Sequence, residues 1–241
     1  MSFAVVVDST CDFTQEEYKA LDVHMVPLSV LIDGETFKDQ VEITSEQFYE
    51  RMANSEGLPQ SSQPTPYDFE QMYNALAEQG YEGVIAIHIA GVLSGTIESS
   101  RTAAEQVDID VRVLDGARAG ATASVALAVA EICKMRDEGA TLDEAEAKAK
   151  ELLAKAEFLV APETLENLLK GGRLSADQVK NASLLNIKPI FTFNEKGILM
   201  AYGKAKGMRG VIKTFVSEVE NRTNEQGTLR IRFCHCGNLS P

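Results

Sequence analysis

The sequence is poor in the residues that mark several classes of protein. Its 241 residues include no tryptophan, three histidines and four cysteines, and 23 basic residues face 36 acidic ones, a formal net charge of −13. The cysteines are too few and too irregularly spaced for a disulfide framework. A chain this acidic repels a phosphate backbone, so we exclude nucleic acid as a partner.

Membrane and cofactor motifs are also missing. No stretch approaches the roughly 18 apolar residues of a membrane span, and no signal-peptide pattern precedes Phe3, which predicts a soluble cytoplasmic protein. The glycine-rich nucleotide motifs G-x-G-x-x-G and G-x-x-x-x-G-K-[ST] are absent. Cys234, His235 and Cys236 are consecutive and would point to alternate faces of a strand. We therefore predict neither a cofactor nor a metal site.

What the sequence does contain is an alternation of strand and helix patterns over residues 1–160. Short β-branched runs, 44% apolar residues overall, and helix starts marked by Thr44, Thr65 and Thr141 predict an α/β domain with a parallel sheet. The predicted buried strands cover residues 3–10, 83–88, 111–115 and 157–161. Residues 23–38, with Pro27 and the Asp33-Gly34 pair, predict an edge strand and a turn.

Residues 161–241 predict a smaller α+β domain with mostly antiparallel strands. The pattern gives a helix ended by Gly171-Gly172, a helix opened by Ser175, and a hairpin over residues 187–204 with loop 194–197. A helix over 210–224 and a strand over 228–235 follow. Because Ser240-Pro241 is typical of a helix start, we expect this domain to be cut short at the C-terminus.

Small polar residues follow two of these predicted strands and precede one capped helix, and they make up the candidate binding site. The three loops are Asp8-Ser9-Thr10, Ser61-Ser62-Gln63-Pro64 and Ser94-Gly95-Thr96. Ligands of parallel α/β sheets bind at the carboxyl ends of strands, and a glycine lets a backbone amide approach a ligand oxygen. The alternative is that these hydroxyls only cap helices, but three such loops at one edge favour a site.

Two further residues carry chemistry that the sequence leaves open. Arg173 follows the Gly-Gly helix end, where a guanidinium suits a carboxylate or phosphate but could equally satisfy the last helix carbonyls. His88 ends a strand, yet no Ser-His-Asp triad can be assembled from sequence. A small-molecule transferase or hydrolase using Asp8 and His88 stays the alternative function.

Six segments in order resemble the signatures of the DegV family of bacterial fatty-acid-binding proteins. They are DST at 8–10, SSQPTP at 61–66, IHIAGVLSGTIESS at 87–100, LLKGGRLS at 168–175, LLNIKPI at 184–190 and HCGN at 235–238. The resemblance covers the whole chain. It implies a carrier without its own chemistry that buries a long-chain fatty acid in an apolar tunnel and presents its carboxylate to a separate fatty-acid kinase for phospholipid synthesis.

The resemblance also implies roles for individual residues. Ser61, Ser62, Ser94 and Arg173 match the family's carboxylate-binding positions, with Gly95 and Thr96 beside them. Weaker candidates for contact with the ligand or a partner are Asp8, Ser9, His88 and Arg209. A transient membrane contact and a role as a lipid-sensing regulatory module also stay open.

Two departures separate this chain from the usual family pattern. Ala90-Gly91-Val92 stands where relatives carry Ser-Ser-Gly, which removes two hydroxyls. The segment whose histidine helps to hold the head group in relatives is not in this sequence. We therefore expect the carboxylate site to have fewer hydrogen-bonding side chains than the sites of relatives.

Overall fold

The computed structural model describes residues 3–174 and 187–235. Its strands are β1 Phe3–Asp8, β2 Val23–Val26, β3 Ser29–Ile32, β4 Glu35–Lys38, β5 Gln60–Ser62, β6 Gly83–His88, β7 Asp110–Asp115, β8 Ile187–Phe193 and β9 Leu199–Lys206. Its helices are α1 Gln15–Ala20, α2 Ser45–Asn54, α3 Pro66–Glu78, α4 Thr96–Ala104, α5 Thr122–Asp137, α6 Leu142–Lys155, α7 Glu166–Lys170 and α8 Gly207–Gln226.

A parallel sheet in the order β2-β1-β6-β7 forms the centre of the larger body and confirms the predicted α/β class. Strand β1 is buried along its whole length because helices cover both faces. Val5 and Val7 pack towards α5 and α6, while Ala4 and Val6 pack towards α3. The parallel pairing of β1 with β6, with Val7 opposite Ile87, places the carboxyl ends of the two strands side by side.

The predicted helix starts are confirmed. Thr44, Thr65 and Thr141 each accept a hydrogen bond from the backbone amide three residues on, and the side chain at that third position accepts one from the threonine amide. These capping boxes fix where α2, α3 and α6 begin. The start of α3 matters for the site because it follows directly on residues 61–64.

The fourth parallel strand is β2, and the prediction that residues 157–161 form one is wrong. These residues are exposed or half-buried rather than enclosed, and Val160 instead makes an antiparallel bridge with Phe191 of β8. The predicted edge strand and turn are confirmed: β2 is the edge of the sheet, and Asp33-Gly34 joins β3 to β4 with both residues at positive φ. Strand β5 adds to the other side of β3.

In the second region the hairpin of β8 and β9 and helix α8 are confirmed, and α7 ends at Gly171-Gly172 as predicted. The predicted strand over 228–235 is wrong, because none of these residues joins a sheet. Arg230 and Arg232 instead pair with Glu131 of α5 and Glu17 of α1. The helix predicted from Ser175 lies outside the described residues, and the domain boundary at 160/161 stays a prediction.

Candidate functional site

The loop between β6 and α4 holds its hydroxyls in a compact turn, which we call the Ser94 loop (residues 94–96). The Ser94 Oγ lies 2.9 Å from the Thr96 Oγ1, and the Thr96 amide approaches the same Oγ at 3.4 Å. Ser94 is half-buried, whereas Thr96 is fully buried. Of the two hydroxyls, that of Ser94 is therefore the one open to a ligand, and Thr96 holds it in place at the positive end of α4.

Arg173 reaches this loop from 80 residues away. Its Nη1 donates to the Gly171 carbonyl at 2.6 Å, and its Nε approaches the Leu93 carbonyl at 3.4 Å. The first contact agrees with the role of satisfying a helix end, and the second brings the guanidinium to the residue before Ser94. Arg173 is exposed. The contact with the helix end is therefore confirmed, whereas binding of a carboxylate or phosphate by Arg173 stays a prediction.

The serines at 61 and 62 lie in β5, where they pair with Val30 and Ser29 of β3. They are exposed, in a small antiparallel sheet rather than in a loop of the parallel sheet. The link to the Ser94 loop is the next residue, Gln63, whose Nε2 donates to the Ser99 Oγ at 3.0 Å. The structure thus connects this segment to the Ser94 loop through Gln63.

An apolar cluster lies next to the same place. Leu174, the neighbour of Arg173, belongs to one buried cluster with Phe191, Phe193 and Leu199 of the hairpin, and Leu93, the neighbour of Ser94, packs against it. Phe158, Val160, Leu165 and Leu168 pack against it. Groups suited to an anion therefore adjoin groups suited to an apolar chain.

Asp8 and His88 occupy a separate, buried network. The His88 Nδ1 lies 3.2 Å from the Asp8 Oδ2, and its Nε2 lies 2.8 Å from the Ser100 Oγ, which is 2.6 Å from the Tyr73 hydroxyl. Asp8 also accepts hydrogen bonds from the Ile89 amide and from Thr10. We call Asp8, His88, Ser100 and Tyr73 the buried network.

The order of atoms in the buried network is that of a Ser-His-Asp triad, but its surroundings are not. Ser100 and His88 are 0% exposed and Asp8 is 1% exposed, so a substrate cannot reach the hydroxyl in this conformation. Burial alone would raise the pKa of Asp8, but the hydrogen bonds and charge of His88 and the hydrogen bonds from Thr10 and Ile89 hold it below its ordinary value. The network is suited to joining β1, β6, α3 and α4, not to nucleophilic attack.

The remaining candidates lie away from the Ser94 loop. Ser9 is buried, its Oγ accepts from the Leu28 amide, and its carbonyl accepts from Gln40. Arg209 is exposed on the first turn of α8, which begins three residues before the predicted start. Within residues 3–174 and 187–235, no three His, Cys, Asp or Glu side chains group closely enough to hold a metal ion.

Sequence reasoning missed the residues that support the site. Gln63, Ser99 and Ser100 lie inside the segments SSQPTP and IHIAGVLSGTIESS, but those segments predict no role for their side chains, and Tyr73 is one apolar position in a helix pattern. The contact between Asp8 and His88 could have been predicted from the sequence. Each residue is the last of a β-branched run, and the two runs are predicted to be parallel strands of one sheet. No sequence pattern predicts the hydrogen bond between Gln63 and Ser99, because it joins two different elements.

The fold and the site define a class: an α/β protein in which a hydroxyl loop and an arginine meet beside an apolar cluster. A family model described as "Uncharacterised protein, DegV family" matches residues 2–240, and the chain belongs to this family. A DegV domain-containing protein of Listeria innocua is 36% identical over 219 residues, covering 87% of this chain and 74% of the relative.

Solved structures of relatives share the fold. A Thermus thermophilus DegV family protein, whose structure is described by its fatty-acid binding, is 32% identical with a TM-score of 0.80, covering 91% of this chain and 79% of that one. A stearic-acid-binding protein of Eubacterium ventriosum is 26% identical with a TM-score of 0.84, covering 93% and 78%. Among the residues described, no helix has both the length and the apolar character needed to cross a bilayer.

Proposed function

We propose that this chain binds a long-chain fatty acid, with the carboxylate at the Ser94 loop and the tail along the apolar cluster. The observation that carries the proposal is the approach of the Arg173 Nε to the Leu93 carbonyl at 3.4 Å, which sets a cation beside the half-buried Ser94 hydroxyl. Ser61 and Ser62 of β5 complete the proposed carboxylate site, and they are linked to it through the next residue, Gln63, which donates to Ser99 of α4. The fatty acids bound by relatives with this fold support the same ligand class.

The energetics suit a carrier. Burying about fifteen methylenes at about 0.8 kcal/mol each favours binding by roughly 12 kcal/mol before the costs of ordering. A carboxylate left without partners at an apolar site would cost several kcal/mol. In this proposal the tail supplies most of the affinity, and Ser94, Gly95 and Arg173 remove that penalty.

We further propose that the bound carboxylate is presented to a separate kinase, which makes the acyl phosphate. The exposure of Arg173 and the half-exposure of Ser94 support this, because a head group held there faces the surface. The protein then acts without chemistry of its own. Combining it with a fatty-acid kinase and ATP should yield acyl phosphate only when both proteins are present.

Organic extraction and mass spectrometry of the purified protein test the binding. We expect one fatty acid per chain in the wild type, and a loss of at least tenfold in lipid content in both Ser94→Ala and Arg173→Ala. Arg101→Ala is the matched control, because Arg101 is exposed on α4 and pairs with Glu98. Lipid-free wild-type protein would overturn the proposal, and full lipid content in both site variants would overturn the residue assignment.

A further inference from the structure

Gly95 lies in the Ser94 loop against the end of the Gln63 side chain, which would have to shift to admit a side chain at position 95. A Cβ built on Gly95 would come within 2.8 Å of the Nε2 and the carboxamide carbon of Gln63, and closer still to its Oε1. The backbone of Gly95 has φ −74° and ψ 7°, which any residue can adopt. A substitution at Gly95 is therefore opposed by a steric contact and not by backbone strain, and the atoms nearest to an added Cβ belong to the end of the Gln63 side chain.

Both the backbone and the side chain of Gln63 are restrained in that position. On the chain side it precedes the buried Pro64, which restricts Gln63 to extended backbone. On the side-chain side its Nε2 donates to the Ser99 Oγ, which is 4% exposed on the first turns of α4. The carboxamide is thus fixed over the loop between Ser94 and Ser99.

From this geometry we propose that Gln63 is a positioning residue for carboxylate recognition. Its carboxamide packs on Gly95 and sets the distance between the Ser94 hydroxyl and the serines of β5. The inference rests on the proposed fatty-acid binding and adds to it the residue that joins the two halves of the carboxylate site. Gln63 acts through the Ser94 loop.

The test compares oleate with oleyl alcohol, which has the same chain and no carboxylate, on delipidated full-chain protein. We expect Gln63→Leu to weaken oleate binding about tenfold and oleyl alcohol binding less than twofold, because only the carboxylate depends on the loop. Gln71→Leu, at an exposed position of α3, should change neither. Ser99→Ala removes the same hydrogen bond, so its effect should not add to that of Gln63→Leu.

A reciprocal pair of variants makes the test specific to the contact. Gly95→Ala should displace the Gln63 carboxamide and lower oleate affinity as much as Gln63→Ala does. The double variant Gln63→Ala/Gly95→Ala should bind oleate no worse than Gln63→Ala, since the added methyl then has space.

The outcomes separate this inference from the proposed function. Equal weakening of oleate and oleyl alcohol in Gln63→Leu, or additive losses in the double variant, would overturn the positioning role while leaving fatty-acid binding intact. A wild-type protein that binds neither ligand would overturn both.

Discussion

Two groups of polar side chains include residues at or just after the end of β6, and they have opposite surroundings. The buried network, which includes the strand's last residue, is sealed between the sheet and the helices, whereas the Ser94 loop a few residues later is half-exposed and meets Arg173. Residue type alone would assign chemistry to the first, because it contains the histidine, the aspartate and a serine. The burial of the first group indicates a structural role, and only the second is accessible for the ligand binding proposed above.

The largest effect on stability should come from breaking the buried network. Replacing His88 with Ala leaves the Asp8 carboxylate buried without its main partner, which should lower the free energy of unfolding by about 3–5 kcal/mol. Urea unfolding measures it. His24→Ala is the control, because His24 lies on the edge strand and is half-buried, and it should cost much less. A loss below about 1 kcal/mol for His88→Ala would show that the network is not structural.

The pH dependence of stability should show the Asp8 interaction next. The pKa of Asp8 is lowered in the folded state, so the unfolded chain takes up this proton more readily. The stabilisation is therefore present above the ordinary value of 3.8 and is lost as pH falls below it. Between about pH 4 and pH 2, the free energy of unfolding should fall more steeply for the wild type than for Asp8→Asn. Equal slopes would contradict the prediction.

A smaller effect is expected at the far end of the network. Tyr73→Phe removes one buried hydroxyl but leaves Ser100 bonded to His88, so we expect a loss of about 1 kcal/mol in the free energy of unfolding. The exposed Tyr67 provides the control, and Tyr67→Phe should be neutral. If both variants unfold at the same urea concentration, the Tyr73 hydroxyl contributes nothing measurable.

The smallest effect on stability should come from the other side of the comparison. Arg173 is exposed, so Arg173→Ala should change the free energy of unfolding by no more than about 0.5 kcal/mol even though it removes bound lipid. Unfolding should be followed on delipidated protein, because a bound ligand stabilises the folded state by itself. A delipidated variant that unfolds far more easily would place Arg173 with the structural residues.

Local patterns predicted most of the fold because each pattern depends only on residues that are close together in the sequence. Thr65-Pro66 and Thr141 with Glu144 specify helix starts whatever surrounds them, and Asp33-Gly34 specifies a turn. The segments that failed, 157–161 and 228–235, have strand composition but make their contacts with distant elements. The amino-acid sequence of residues 157–161 does not distinguish a strand of the parallel sheet from a single bridge to Phe191.

The candidate site divides in the same way. Hydroxyls after strands and an arginine after two glycines are visible as motifs, so Ser94 and Arg173 could be named in advance. The burial of Ser100 and the position of the Gln63 carboxamide depend on how α3 and α4 pack on one sheet. No local sequence pattern predicts that packing. The resemblance to a family added the ligand class, which the residues alone left open.

The absence of a side chain at Gly95 leads to an expectation about sequence variation among relatives. A residue larger than glycine at this position would displace the carboxamide of Gln63, 32 residues earlier in the chain, unless the side chain there were shorter. The two positions should therefore vary together across relatives: glycine should accompany glutamine, and alanine or serine should accompany a small partner. A larger residue at position 95 would then be better tolerated after Gln63 had been replaced by a smaller residue.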